Sequence, residues 1–262
     1  MDLASIIGVV GALVVITVVM ILDGGSPAEL FEMPQAILLV VAGALVAAVV
    51  SQPMSALGNI PKWFMIGFFE KGKHDPAETI NLLSGMADKA RREGLLALEE
   101  EAKKIEDDFL KRGIMMVVDG VDPAQVRAIL EIEIKHMHER HEQGGIGFFN
   151  AVGGYAPTFG IIGTVMALVT VLKALDDPGS LGPKIAGAFL ATLWGILSAN
   201  VLWLPLAGKL SLRNQEEVNY YHMLLEGILA LQAGENPRVV KDKLSAFLAP
   251  KERASTEAAA KA

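Results

Sequence analysis

The chain has 262 residues and no cysteine, carries 23 Lys and Arg against 30 Asp and Glu, and is 52% hydrophobic but only 20% charged. Soluble domains run nearer 25% charged, so an ordinary water-soluble globule fits poorly. The missing cysteine excludes a disulfide scaffold, a thiolate metal site and a cysteine nucleophile, and a net charge of −7 argues against a nucleic-acid partner, which wants a basic face.

The apolar excess is concentrated. Leu3–Leu22 has no charged residue, and only Met1 and Asp2 precede it, without the bases of a signal-peptide n-region. It reads as a retained anchor. Gln35–Gln52, Phe148–Leu172 and Ile185–Gly208 are also free of charge. A helix needs about 20 mostly apolar residues to cross some 30 Å of hydrocarbon. The four blocks therefore predict four transmembrane helices.

The loops set the orientation. Asp23–Pro34 holds Asp23, Glu29 and Glu32 and no base, and the turn Ala174–Pro183 holds Asp176 and Asp177. Of the 23 bases, 21 lie in Pro53–Gly147 and Lys209–Ala262. The positive-inside rule puts those two segments and both termini in the cytoplasm, with the short acidic loops outside. The expected organisation is 1–52 for spans one and two, 53–147 for a cytoplasmic helical domain, 148–208 for spans three and four, and 209–262 for cytoplasmic helices and a disordered tail. The fold class is all-α.

Within the long loop, Trp63–Phe69 is an aromatic stretch flanked by Lys62 and Lys71. It suits a helix lying at the membrane surface or a plain extension of the second span. Asp75-Pro76 is a cap followed by a first-turn proline. It opens a stretch with Ile80, Leu83, Ala87 and Ala90 on one face, continued by Leu95, Leu98, Ala102, Ile105 and Phe109 at helical spacing. Asp119-Gly120 ends that region, and Asp122-Pro123 starts a helix with Val126, Ile129, Leu130 and Met137 inward. A helix over Glu217–Gln232, a break at Gly234–Pro237 and a shorter helix to Leu248 complete the C-terminal part, before the small polar tail Ala254–Ala262.

Motifs for chemistry are sparse. His136, His138 and His141 share a polar helix, without the HExxH pairing of a zinc site; a solvated face explains them. A P-loop and a nucleophile elbow are both missing, so the chain does not read as an enzyme. No Asp, Glu, Lys, Arg or His lies inside any span, although an ion path normally marks itself with such a group. If ions move here, a partner supplies it.

The spans carry two further features. Gly187, Ala191, Gly195 and Ala199 form a small-residue stripe, with shorter ones at Gly43 and Ala47 and a glycine set at Gly153, Gly154, Gly160 and Gly163. Such stripes let helices approach closely and predict bundling or oligomerisation. Pro157 interrupts the third span and predicts a bend, Thr158 and Thr192 offer hydroxyls, and Pro205 lies near the end of the fourth span. Hydroxyls beside a small-residue groove suit either a polar path or helix-to-helix hydrogen bonds.

Three stretches carry a resemblance. They are Ala90-Arg91-Arg92-Glu93-Gly94-Leu95-Leu96-Ala97-Leu98-Glu99, then Gly153-Gly154-Tyr155-Ala156-Pro157-Thr158-Phe159-Gly160-Ile161-Ile162-Gly163-Thr164-Val165, then Gly234-Glu235-Asn236-Pro237. With the span layout they resemble the MotA/PomA family, the stator subunits of the bacterial flagellar motor, over nearly the whole chain. The resemblance implies a homo-oligomeric ring, a pentamer in the family, in the bacterial inner membrane around a MotB-type single-span dimer. The partner's aspartate carries the ion, and the cytoplasmic domain pushes on the rotor protein FliG. It implies that Arg91 and Glu99 face the rotor, and that Pro157, Thr158, Thr192 and Pro205 serve the ion path and its coupling. It implies contact with membrane lipid, no cofactor and no resident metal. Sodium-driven relatives tend to carry two adjacent threonines where this chain has Ala191-Thr192; one hard oxygen fewer favours H+ over Na+ as the transported ion. Two alternatives stand beside this reading. One is an ExbB/TolQ-type energiser of outer-membrane processes, though such proteins usually have three spans and lack a counterpart of Gly234–Pro237. The other is a tetraspan scaffold that transports nothing.

Overall fold

The computed structural model describes residues 3–69, 75–250 and 253. Its regular elements are all helical, with no strand among the described residues. In chain order they are α1 (Leu3–Leu22), a 3-10 turn (Pro27–Phe31), α2 (Pro34–Val50), α3 (Met54–Leu57), α4 (Ile60–Phe69) and α5 (Pro76–Glu93), then a second 3-10 turn (Leu95–Ala97), α6 (Leu98–Lys104), α7 (Asp108–Val118) and α8 (Pro123–His141). A π turn (Glu142–Ile146), α9 (Gly147–Leu172), α10 (Pro178–Ser198), a second π turn (Ala199–Trp203), α11 (Leu204–Gln232) and α12 (Pro237–Ser245) follow. They form two compact units, one from Met1–Lys71 and His141–Leu212 and the other from Gly72–Arg140 and Arg213–Ala262.

The first unit is the apolar one. The helical runs Leu3–Leu22, Pro123–Leu172 and Pro178–Gln232 each contain a stretch long and apolar enough to cross a membrane. The second predicted span, α2, has 17 residues, at the short end of the roughly 17–25 that suffice. α2 packs on α9, and α9 on α10, through buried Val40, Ala44, Val152 and Ala156. No side chain of α1 is buried. Near its start the Ser5 hydroxyl lies 2.5 Å from the Lys209 ammonium. The acidic loop is built locally: Ser26 and Glu29 cap one another's backbone around the 3-10 turn, and the Trp194 indole N–H donates to the Leu30 carbonyl at 2.8 Å.

α3 and α4 belong to this unit, although the sequence reading assigns them to the cytoplasmic segment. Phe64 meets Phe149 edge-on with ring centres 4.8 Å apart, and Gly67 lies so close to Leu206 that a Cβ there would clash. Lys71 and the tail predicted to be disordered, Ala254–Ala262, fall outside the described residues.

The second unit is an amphipathic helical bundle. Ile80, Leu83, Ala87 and Ala90 of α5 are all buried, as their spacing predicts. They pack with Leu98, Leu110, Leu130 and Ile228. Ile129 is 45% exposed, contrary to expectation, and Ile134 takes the inward place. The inward face of α8 steps by three and four from Val126 through Leu130 and Ile134 to Met137, which leaves Ile129 on the flank. Gly120 and Gly234 have φ of +73° and +66°, values that glycine adopts without strain and that end helices. Asn236 then caps α12, its side-chain oxygen accepting from Arg238 N at 3.0 Å, with Pro237 in the first helical position. Gly234–Pro237 is thus one helix stop and one helix start in four residues.

Candidate functional site

Three of the four residues implied for the ion path meet at, or border, the α9–α10 contact. Small residues bring the backbones together. A Cβ on Gly195 would sit 2.8 Å from the Ala156 carbonyl oxygen and 3.1 Å from Pro157 Cα, and one on Gly160 would sit 3.1 Å from Thr192 Cα. The small-residue stripe is therefore used inside one chain: Ala191 and Gly195 face Gly160 and Gly163.

This close approach places two hydroxyls against each other. Thr164 Oγ1 and Thr192 Oγ1 are 2.5 Å apart, and Thr164 Oγ1 is also 2.9 Å from the Ala188 carbonyl and 3.1 Å from that of Gly160. A hydroxyl has one proton to give. Thr164 donates to a carbonyl and accepts from Thr192. Thr164 lies inside the quoted stretch but was not singled out from sequence; its position four residues after Gly160, on the same face, is the signal that could have found it.

Thr192 also lines an open groove of about 590 Å³, with Phe189, Leu193 and Ile196 on its wall and Glu29 and Glu32 at its edge. The groove is apolar apart from those carboxylates and the hydroxyl. Thr158 is exposed and donates to the Tyr155 carbonyl at 2.7 Å, not to the Gly153 carbonyl that Pro157 leaves without a donor. α9 runs unbroken through Pro157. The break lies upstream at Gly144, whose φ of −82° and ψ of −112° leave the helical region. There a Cβ on Gly144 or Gly145 would press on the Trp63 ring. Pro205 is exposed in the first turn of α11, directly after the π turn Ala199–Trp203. The helical run continues from α10 through the π turn into α11, so Pro205 sits inside it and leaves a carbonyl one turn back without its donor.

The other implied pair lies in the second unit. Arg91 is exposed in the last turn of α5, and among the described residues no ion pair or hydrogen bond engages it. Glu99 opens α6 together with Glu100 and Glu101, where the helix dipole favours acids. The Lys103 ammonium bridges Glu99 at 3.0 Å and Glu100 at 2.8 Å. The hydrogen bond that Lys103 donates to Glu100, with Glu99 beside it, raises the Lys103 pKa. Glu101 is held below the usual carboxylate range by hydrogen bonds from Lys89 and Lys104. Arg91 and Glu99 flank one connection, Gly94–Leu98, but only Glu99 is paired, with Lys103.

The histidines do not form a site. His136 pairs with Glu139 at 3.3 Å, and His138 Nδ1 lies 2.7 Å from the Asn214 amide nitrogen. Among the described residues no three His, Asp or Glu side chains are grouped to hold a metal ion.

Comparison with known proteins agrees with the layout. Residues 101–223 match the profile of the MotA/TolQ/ExbB proton channel family. Motility protein A of Treponema phagedenis is 41% identical over 258 residues, 98% of this chain and 98% of that one. The solved structure of C. jejuni MotAB matches with a TM-score of 0.88 at 34% identity, covering 95% of this chain and 97% of that one. The flagellar MotAB stator complex from Bacillus subtilis matches with a TM-score of 0.87 at 38% identity, covering 96% and 98%. The chain belongs to the motility protein A members of the MotA/TolQ/ExbB proton channel family.

Proposed function

We propose that the chain is the stator subunit of a bacterial flagellar motor, and that with a MotB-type single-span dimer it forms an ion channel whose flow drives torque on the rotor. The observation that carries this reading is an absence joined to a presence. The four apolar segments of the sequence hold no Asp, Glu, Lys, Arg or His, while α9 and α10 present paired hydroxyls beside an open groove. A path of this kind works only if a second protein brings the acid. An aspartate there, out of bulk water, has its pKa raised and alternates between charged and neutral as ions arrive.

In this reading the subunits form a ring, a pentamer by family, in the inner membrane with both termini in the cytoplasm, surrounded by lipid. Pro157, Thr158, Thr192 and Pro205 line or transmit along the path. Arg91 and Glu99 face FliG. The chain is not an enzyme and needs no cofactor. The transported ion is H+. What supports that choice is the sequence: Ala191 carries no hydroxyl where sodium-driven relatives tend to have a second threonine, one hard oxygen fewer. Of the Ala191-Thr192 pair, only Thr192 lines the groove and offers it a hydroxyl.

The test is deletion of the gene in its own host. Cells that build flagella but cannot rotate them, and recover when the chain is restored, are the expected result. Normal swimming, with failed uptake of iron-siderophore complexes, would support the energiser instead.

A further inference from the structure

We propose that Leu96 is the apolar anchor by which the second unit holds the rotor, with the surrounding charges steering the approach rather than holding it. The inference deepens the stator reading and rests on it. Gly94 ends α5 with φ +87° and ψ 166°, a conformation that a side chain resists. The 3-10 turn that follows divides its neighbours. Leu95 packs on the core, Leu98 is fully buried, and Leu96 between them is 75% exposed.

A single exposed leucine is ordinary. This one stands in the connection between Arg91 and Glu99, on a backbone pinned by Leu95 and Leu98 and by the bond from Ala97 N to the Gly94 carbonyl at 3.2 Å. Holding it in place therefore costs little further ordering on binding.

The charges around it cannot hold a partner by themselves. Arg92 is engaged by Asp88 at 2.9 Å, and Glu99 and Glu100 by Lys103. Exposed pairs of this kind contribute little; for Arg92, Glu99 and Glu100 a new one means giving up the old one, and Arg91, unpaired among the described residues, adds one such exposed pair. Burial of one leucine contributes more than any of them. An apolar centre with a charged rim is also the usual anatomy of a protein interface. The partner that fits is a rotor face with an apolar recess, an acid toward Arg91 and a base toward Glu99.

The experiment uses the deletion host expressing the full chain, fluorescently tagged, with its single-span partner. It reads the torque per stator unit and the time each unit stays on a motor, so a change in abundance does not enter. Leu96→Ser is expected to shorten that time roughly tenfold or more, the loss of one buried leucine, while Leu96→Met stays near wild type. Equal loss in both variants, or none in Leu96→Ser while Arg91→Glu stops rotation, overturns the anchor and leaves the stator reading standing. Unchanged torque in all three variants overturns the rotor-facing assignment and the anchor with it.

Discussion

Thr164 and Thr192 pair their hydroxyls where two helices pack closely. Their bond joins α9 to α10, and Thr192 keeps a face on the groove. Thr192→Ala should lower torque while the ring still assembles, with Thr192→Ser retaining most of it. The check is torque per motor against the amount of complex recovered from membranes; loss of assembly in Thr192→Ala would assign the hydroxyl to packing alone. Arg91→Glu should weaken swimming without lowering membrane levels, because the exposed side chain has nothing of its own fold to lose. Unchanged motility in that variant would sink its rotor role. Thr192 stands out in the sequence by its place beside the small-residue stripe, while the role of Arg91 comes only from the resemblance. Thr164 does not stand out, since its role depends on how closely another helix approaches.

The helices were legible where a single face decides. The apolar spacing of α5, the Asp75-Pro76 start and the Gly234–Pro237 break all appear as the residues predict. The two π turns were not legible. The one over Glu142–Ile146 exists with Trp63 packed against Gly144 and Gly145, a contact across some 80 residues that local pattern does not contain. The same dependence on packing makes Gly195 a sharp test. Gly195→Ala forces a Cβ onto the backbone of α9 and should destabilise the first unit by about 1–3 kcal/mol. Gly154→Ala, with open space around it, is the control. Thermal unfolding of the two purified variants compares them, and equal midpoints would contradict the close α9–α10 contact. In the second unit, burial pushes the Tyr221 phenol up from 10.0 to about 12, with Asp107 and Glu217 adding to the shift. The folded state thus favours the neutral phenol. That contribution to stability is complete below pH 10 and is lost as pH rises through about 12. Wild type should lose stability relative to Tyr221→Phe across that window, and parallel unfolding curves would contradict it.

At the scale of the whole molecule, charge and apolarity are sorted onto different parts of the chain. The 20% charged average covers four apolar segments without Asp, Glu, Lys, Arg or His and two others, Pro53–Gly147 and Lys209–Ala262, that hold 21 of the 23 bases. That sorting was legible from composition alone; that the chain moves ions with a partner's acid came from the resemblance to the MotA/PomA family. The division into units was less legible. α4 is aromatic enough to join the apolar unit, but charge counting groups it with the basic segment that follows. The central claim is that this chain supplies the path and the lever while its partner supplies the ion-carrying acid. Single-motor rotation, with the full chain beside a partner whose aspartate is replaced by asparagine, tests this most directly. The account predicts that stator units still reach the motor and produce no torque. Sustained rotation without the partner's carboxylate would contradict it.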